Sequence, residues 1–498
     1  MCNGSRARSG MLLVAVLLTS TASAGRRLNC RTPGLTAATA SFLEGHWGHA
    51  RRQLGTSAQR ATTATTTTKP KGTRKMTKKR AAQEEVPTTE HAPEDIIPNG
   101  FDRTRTKLLT RTLMPREKTT DMSNPCIVYW MMRDCRTVDN HALLFAQGLA
   151  TKYQVPLRVV FTLCPPPSSA PVEGADGSPP KPEDMSLTLR HGDFLLDGLK
   201  VVAGELKAAH VPFDVLQPTC RTAVGTETIR YCINKNDALA LVCDMSPLRQ
   251  PRDWIETQTV PHLGQQVPVY QVDAHNIVPV WQASPKREVG ARTLRPKINN
   301  VFAKYCTQFA EFTGNAHLSE KVDAENDHDW EHYKRYLGLD ESIEPVAGYV
   351  AGHEAAMERF REFCSTKLRN FDSMRNDPNQ DVCSNLSPWI NHGQVSFQRL
   401  ALEVRALKKH SNGTAAYIEE GVVRRELSDN FVYYTPSSYD SLEGAADWAR
   451  DSLQLHSSDE REYVYTWKQL ESGMTHDDLW NAAQLQLVRE GKMHGFVS

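Results

Sequence analysis

The chain has 498 residues, with 59 Lys and Arg against 58 Asp and Glu and a net charge of +1. This length allows two to three domains with ample core, while the balanced charge excludes a whole-surface field for polyanions and leaves nucleic-acid binding to a local patch. The eleven cysteines form no CxxC pair and no His-containing metal spacing. That excludes a zinc site of this type and a disulfide scaffold, and suits a reducing compartment.

At the N-terminus, Arg6 and Arg8 precede the apolar run Met11–Leu18 and small residues ending at Ala24. Residues 1–24 read as a signal-like targeting segment, too short to span a membrane. Residues 25–122 are basic and transit-like and are expected to be disordered. A signal followed by a transit-like stretch suits a plastid. The run Lys69–Arg80 (KPKGTRKMTKKR) fits a nuclear address or a basic arm for nucleic acid, and a solvated, disordered linker explains it without either role. The compartment stays open between plastid and nucleus.

Order is expected from Asn124. Cys126–Met132 (CIVYWMM) reads as a buried strand, followed by the polar turn Arg133–Asp139 and a helix over Asn140–Tyr153. Pro156–Leu163, Phe213–Leu216, Ala238–Cys243 and Val267–Val272 continue the strands. A Pro-rich insertion (Pro165–Asp184), an amphipathic helix within Leu187–His210 and a helical Thr226–Asn234 lie between them. Alternating strands and helices predict a Rossmann-like parallel sheet over residues 123–272, which takes ligands at its carboxyl edge. No GxGxxG or Walker loop is present. Residues 273–350, interrupted by Pro279, Pro285 and Pro296, read as a connector.

Residues 351–498 read as all-helical. Met357, Phe360, Phe363 and Leu368 mark one helix, Ser396–Lys409 another, and Thr475-His476-Asp477-Asp478 offers a capping-box start to Leu479–Glu490, stopped by Gly491. On a helical wheel, Tyr417, Val423, Leu427 and Phe431 share one sector that also holds Glu420 and Arg424, with Ile418 and Val422 opposite. An acid and a base on an apolar face are either an ordinary i,i+4 ion pair or functional groups. The loop Asp381–Pro388 (DVCSNLSP) predicts Ser387 as an N-cap with Pro at the first helical position. It is either an ordinary capped helix or a phosphate site, with Arg375 upstream as a phosphate contact or a surface arginine.

Six phrases, taken in order, resemble the class II photolyases of the photolyase/cryptochrome superfamily. They are IVYWMMRDCRTVDNHALLFAQ (Ile127–Gln147), VDAHNIVPVW (Val272–Trp281), ARTLRPKI (Ala291–Ile298), RNDPNQDVCSNLSP (Arg375–Pro388), EEGVVRRELSDNF (Glu419–Phe431) and THDDLWNAAQLQLVREGKMHGF (Thr475–Phe496). The resemblance implies an α/β antenna domain followed by an all-helical FAD-binding domain. It implies light-driven repair of cyclobutane pyrimidine dimers in UV-damaged DNA by electron transfer from excited reduced FAD, in a monomer with no metal. It also implies an antenna chromophore of unspecified identity. The alternatives are a cryptochrome-like photoreceptor and a non-catalytic product.

Carried over residue by residue, the resemblance places FAD contacts on Phe371, Cys383, Ser384, Asn385, Leu386, Ser387, Tyr417 and Arg424. It places the dimer on Glu420, whose buried carboxyl would stay protonated and donate, and DNA on Arg375, Glu420, Met493 and His494. Phe371 stands where the family has a tyrosine, so one hydrogen bond to the cofactor is absent. Asn391, His392 and Phe397 depart from the pattern without a functional expectation. The family pattern continues past His494-Gly495-Phe496 with an Arg-Met-Tyr-Trp phrase. Relative to that pattern the sequence is expected to be C-terminally truncated and to lack part of one cavity wall.

Overall fold

The computed structural model describes residues 91–167 and 185–497. The signal-like segment, the Lys69–Arg80 run and most of the Pro-rich insertion lie outside the described residues.

A six-stranded sheet carries the N-terminal half, in the order β1-β6-β5-β2-β3-β4. Its strands are β1 (Thr106–Leu108), β2 (Pro125–Met131), β3 (Leu157–Thr162), β4 (Phe213–Leu216), β5 (Asp237–Asp244) and β6 (Val269–Val272). All neighbours pair in parallel except β1, which runs antiparallel to β6. The uninterrupted apolar run of β2 follows from its central place. Ile127, Tyr129 and Met131 pack in the core on one face, and Cys126, Val128 and Trp130 in the core on the other. The first of those cores is completed by helices His141–Tyr153 and Leu189–Ala208. Asn140 caps the former, its Oδ1 accepting from Ala142 and Leu143 N–H at 3.0 and 3.1 Å.

Strand β1 corrects the expectation of disorder up to residue 122. Residues 91–122 carry defined structure, and buried Arg105 donates to the Asn276 and Ile277 carbonyls at 3.1 and 2.8 Å. The segment was illegible because three residues, Thr-Lys-Leu, make the strand and their pairing is supplied by β6. Pro296 is a second correction. It sits inside the helix Ala291–Tyr305, where burial of Leu294, Ile298 and Tyr305 outweighs one missing backbone bond.

Around the third apolar core, the C-terminal half supplies helices His353–Thr366, Leu368–Met374, Ser387–Asn391, Phe397–Ala406, Ser411–Ile418, Arg425–Tyr434 and Asp478–Glu490. The single helix expected through Leu368 is two, with Leu368 opening the second. Ser387 is the first helical residue rather than the cap, and Leu386 takes the cap position with no side-chain bond. Gly491 ends Asp478–Glu490 at φ 66°, as expected, while the cap is Asp477, accepting from the Leu479 and Trp480 N–H groups, rather than a capping box from Thr475.

The stretch Tyr417–Phe431 is not one regular helix. Glu419–Arg424 forms a π-helical turn between two α-helices. A π turn inserts about one extra residue per turn, so every side chain beyond it is rotated from the position a 3.6-residue period assigns.

Candidate active site

A cavity of about 890 Å³ opens between the carboxyl edge of the sheet and the helical half. Asp244, at the end of β5, builds its sheet-side wall. The carboxylate accepts from the backbone N–H groups of Met132, Arg133 and Asp134 at 2.9, 2.9 and 3.1 Å, folding the turn after β2. The turn aims Arg133 at Asp429, which receives it through both oxygens at 2.8 and 2.9 Å. Asn276 donates to the same carboxylate at 2.8 Å. Burial would raise the Asp429 carboxyl, but the Arg133 guanidinium more than offsets this and holds it well below the usual carboxylate range. Burial and the Arg133 charge push His275, on the same wall, down to about 4.

On the helical side, Tyr417 lies in an aromatic cluster with Phe363, Phe397, Phe371 and Phe360, at ring-centroid distances of 5.0, 5.4, 5.8 and 6.1 Å. Its hydroxyl is buried and has no hydrogen-bond partner within 3.5 Å. Burial pushes its pKa up, with the Ser384 side chain close enough to oppose that in part. Phe397 presses on Gly421, where an added Cβ would come within 1.6 Å of the ring. Only glycine fits that position.

Of the residues assigned from sequence, Phe371, Cys383, Ser384, Asn385, Leu386, Ser387, Tyr417 and Glu420 all line this one cavity. Arg375, Arg424, Met493 and His494 do not. Arg375 joins the site through Glu420, to which its Nε donates at 3.4 Å. His494 Nε2 lies 4.0 Å from Cys383 Sγ. Arg424 turns away and donates to Glu419 at 3.3 Å.

The π turn explains two corrections. Beyond it, Arg425 rather than Arg424 faces the cavity, and the buried acid of the segment is Glu426 rather than Glu420. The Glu420 side chain is 44% exposed rather than buried. The Glu426 carboxyl is buried, its pKa pushed up to about 8 by burial against the pull of Arg425. One Glu426 oxygen accepts from the Ile277 N–H at 2.7 Å and the other has no partner.

Sequence reasoning missed Arg133, His275, Arg425, Asp429 and Lys492, all of which line the cavity. The location of Arg133 directly after a central strand, at the ligand-binding edge of a parallel sheet, was the available signal. Asn391, His392 and Phe397, given no role from sequence, also line it. Burial and neighbouring His191 push His392 down to about 4.

Residues 127–313 match the DNA photolyase family. The chain is 40% identical over 403 residues to the deoxyribodipyrimidine photo-lyase of Potorous tridactylus, covering 81% of this chain and 70% of that one. It is 39% identical to the deoxyribodipyrimidine photo-lyase of Oryza sativa subsp. japonica, covering 74% and 70%. With that of Methanothermobacter thermautotrophicus the identity is 33%, covering 76% and 77%. The fold is similar to a bacterial class III photolyase from Agrobacterium tumefaciens (TM-score 0.52, 17% identity, 77% and 72% covered). It is equally similar to a Synechocystis cryptochrome (TM-score 0.53, 15% identity, 75% and 73% covered). Identity and coverage together establish that the chain belongs to the DNA photolyase family.

Proposed function

We propose that this chain is a class II deoxyribodipyrimidine photo-lyase, which splits cyclobutane pyrimidine dimers in UV-damaged DNA under light with FAD as cofactor. The observation that carries this reading is the convergence of Phe371, the Cys383–Ser387 loop, Tyr417 and Glu420 on a single cavity.

The residues present fit a flavin dinucleotide. The volume suits a ligand of that size, and the partnerless Tyr417 hydroxyl offers a donor inside an otherwise apolar wall. When bound, the reduced flavin supplies the light-excited electron that opens the cyclobutane ring. Loop Cys383–Ser387 and Tyr417 hold the cofactor, and the aromatic cluster excludes water from it. Glu420, exposed and already within reach of Arg375, bonds the edge of the flipped dimer while Arg375 takes a backbone phosphate. Extrusion costs a few kcal/mol, least for a damaged pair. An antenna chromophore of unspecified identity belongs to the same proposal.

The test is dimer content in irradiated DNA after incubation with the protein and reduced FAD. Loss of dimers under blue light and none in darkness is expected. Equal loss in darkness, or none in either, overturns the reading. Within it, Glu420→Gln should keep flavin and DNA binding and lower the repair yield per photon; an unchanged yield removes Glu420 from the reaction.

A further inference from the structure

Three cationic side chains line the cavity besides its histidines, and they are not equally partnered. Arg133 is held by both oxygens of Asp429, and Arg425 lies 3.5 Å from Glu426. Lys492 is different. Its ammonium donates to the neutral amide oxygen of Asn385. Asp381 and Glu490 act on it only at a distance, and Asp381 is already bonded by Lys367 at 2.8 Å. Burial pushes the Lys492 pKa down, Cys383 and these acids oppose the shift, and Lys367 adds to it.

A half-buried ammonium facing a neutral partner is costly unless an anion completes it. Its position is fixed rather than incidental. Arg190 donates to the Val488 carbonyl at 2.9 Å, and Gly491 turns the chain at φ 66°, delivering Lys492 to the loop. Asn385 meets it from a left-handed backbone position at φ 55°, and Ser384 and Ser387 of the same loop line the cavity. An ammonium with an amide and two hydroxyls is the chemistry of a phosphate ester site.

We infer that Lys492 is the cation that binds a phosphate ester in this cavity. Resting on the FAD reading above, that ester is the diphosphate of the dinucleotide. The other source of the same chemistry is the DNA backbone.

The experiment titrates the full apoprotein with FAD and with riboflavin, which lacks phosphate, following flavin fluorescence. It compares Lys492→Met and Lys492→Arg with the parent, with pyrophosphate as competitor and duplex DNA in a separate arm. Lys492→Met should weaken FAD roughly 10- to 100-fold, the scale of one charged hydrogen-bonding group, and leave riboflavin unchanged. Lys492→Arg should recover most of the loss. Pyrophosphate should displace FAD from the parent and not from Lys492→Met. Unchanged FAD affinity, equal weakening of riboflavin, or a loss confined to DNA overturns the assignment to the diphosphate. A parent that binds neither flavin but still binds pyrophosphate through Lys492 removes the FAD reading and keeps the anion site. A parent that binds none of them removes both.

Discussion

The two sides of the π turn at Glu419–Arg424 build the cavity by opposite means. Before it, Tyr417 sits among four phenylalanines whose packing needs no polar partner. After it, Glu426, Asp429 and Asn430 are buried, and the seam they form with the sheet edge is ionic. Asp134 Oδ2, Asn276 Oδ1, Arg425 Nη1 and Glu426 Oε2 are buried there without partners. An apolar wall tolerates the loss of a polar atom. A charged wall does not, because each removed partner strands another group in a medium where unpaired charge is expensive.

The largest effect expected from this contrast is at Asp429. Asp429→Ala leaves the Arg133 guanidinium facing the cavity with both of its bonds to the carboxylate gone. Breaking a buried pair in this way costs roughly 3–5 kcal/mol, and the lower end applies because Arg133 keeps about a fifth of its surface exposed. Tyr417→Phe, on the apolar side, removes a hydroxyl that has no partner and should change stability by less than about 1 kcal/mol. Thermal unfolding of both variants checks the pair. A milder effect at Asp429 than at Tyr417 would break the comparison.

How much of this was legible in the sequence follows the same division. The strands and the Gly491 helix stop were readable because local pattern and local chemistry agree there, whereas the Cys383–Ser387 loop was placed by the family resemblance and not by its local cap chemistry, which Ser387 does not supply. Apolar β2 is buried on both faces, and Gly491 ends its own helix in the left-handed region. Edge strand β1 was not readable, since its pairing is set by β6, more than 150 residues away. Glu420 and Arg424 were assigned to one apolar face by a constant 3.6-residue period, and the π turn falsifies that period in the middle of the segment. The ionic seam was missed because its members, Arg133, Asn276 and Asp429, come from three separated segments. Nothing local in each predicts that they meet.

Glu426 gives the comparison a pH coordinate. Its folded pKa of about 8 lies above the ordinary 4.5, so the folded state holds a proton that the unfolded chain releases first. The stability it contributes is therefore present below about pH 4.5 and is lost as pH rises toward 8, by a few kcal/mol in total. Glu426→Gln keeps an acceptor for the Ile277 N–H and has no proton to lose. The variant should match the parent in mildly acidic solution and unfold at higher temperature than the parent near pH 8. Parallel profiles for the two proteins would mean that Arg425 keeps Glu426 ionised and that the seam is a closed salt bridge.

The smallest expected effect lies on the apolar side, at the position where the family carries a tyrosine. Phe371 lines the cavity and meets Phe363 and Tyr417 edge-on, at interplanar angles of 90° and 74°. Phe371→Tyr adds a hydroxyl to a ring whose packing is already satisfied, so any gain must come from a ligand in the cavity. One hydrogen bond of about 1 kcal/mol corresponds to FAD binding roughly fivefold tighter, with the unfolding temperature of the apoprotein unchanged. Fluorescence titration and thermal unfolding separate the two quantities. Tighter FAD with an unmoved apoprotein places the para position of the ring toward the cofactor. A destabilised apoprotein with no gain in affinity places it toward Phe363, where a new hydroxyl would be as stranded as a charge removed from its partner across the π turn.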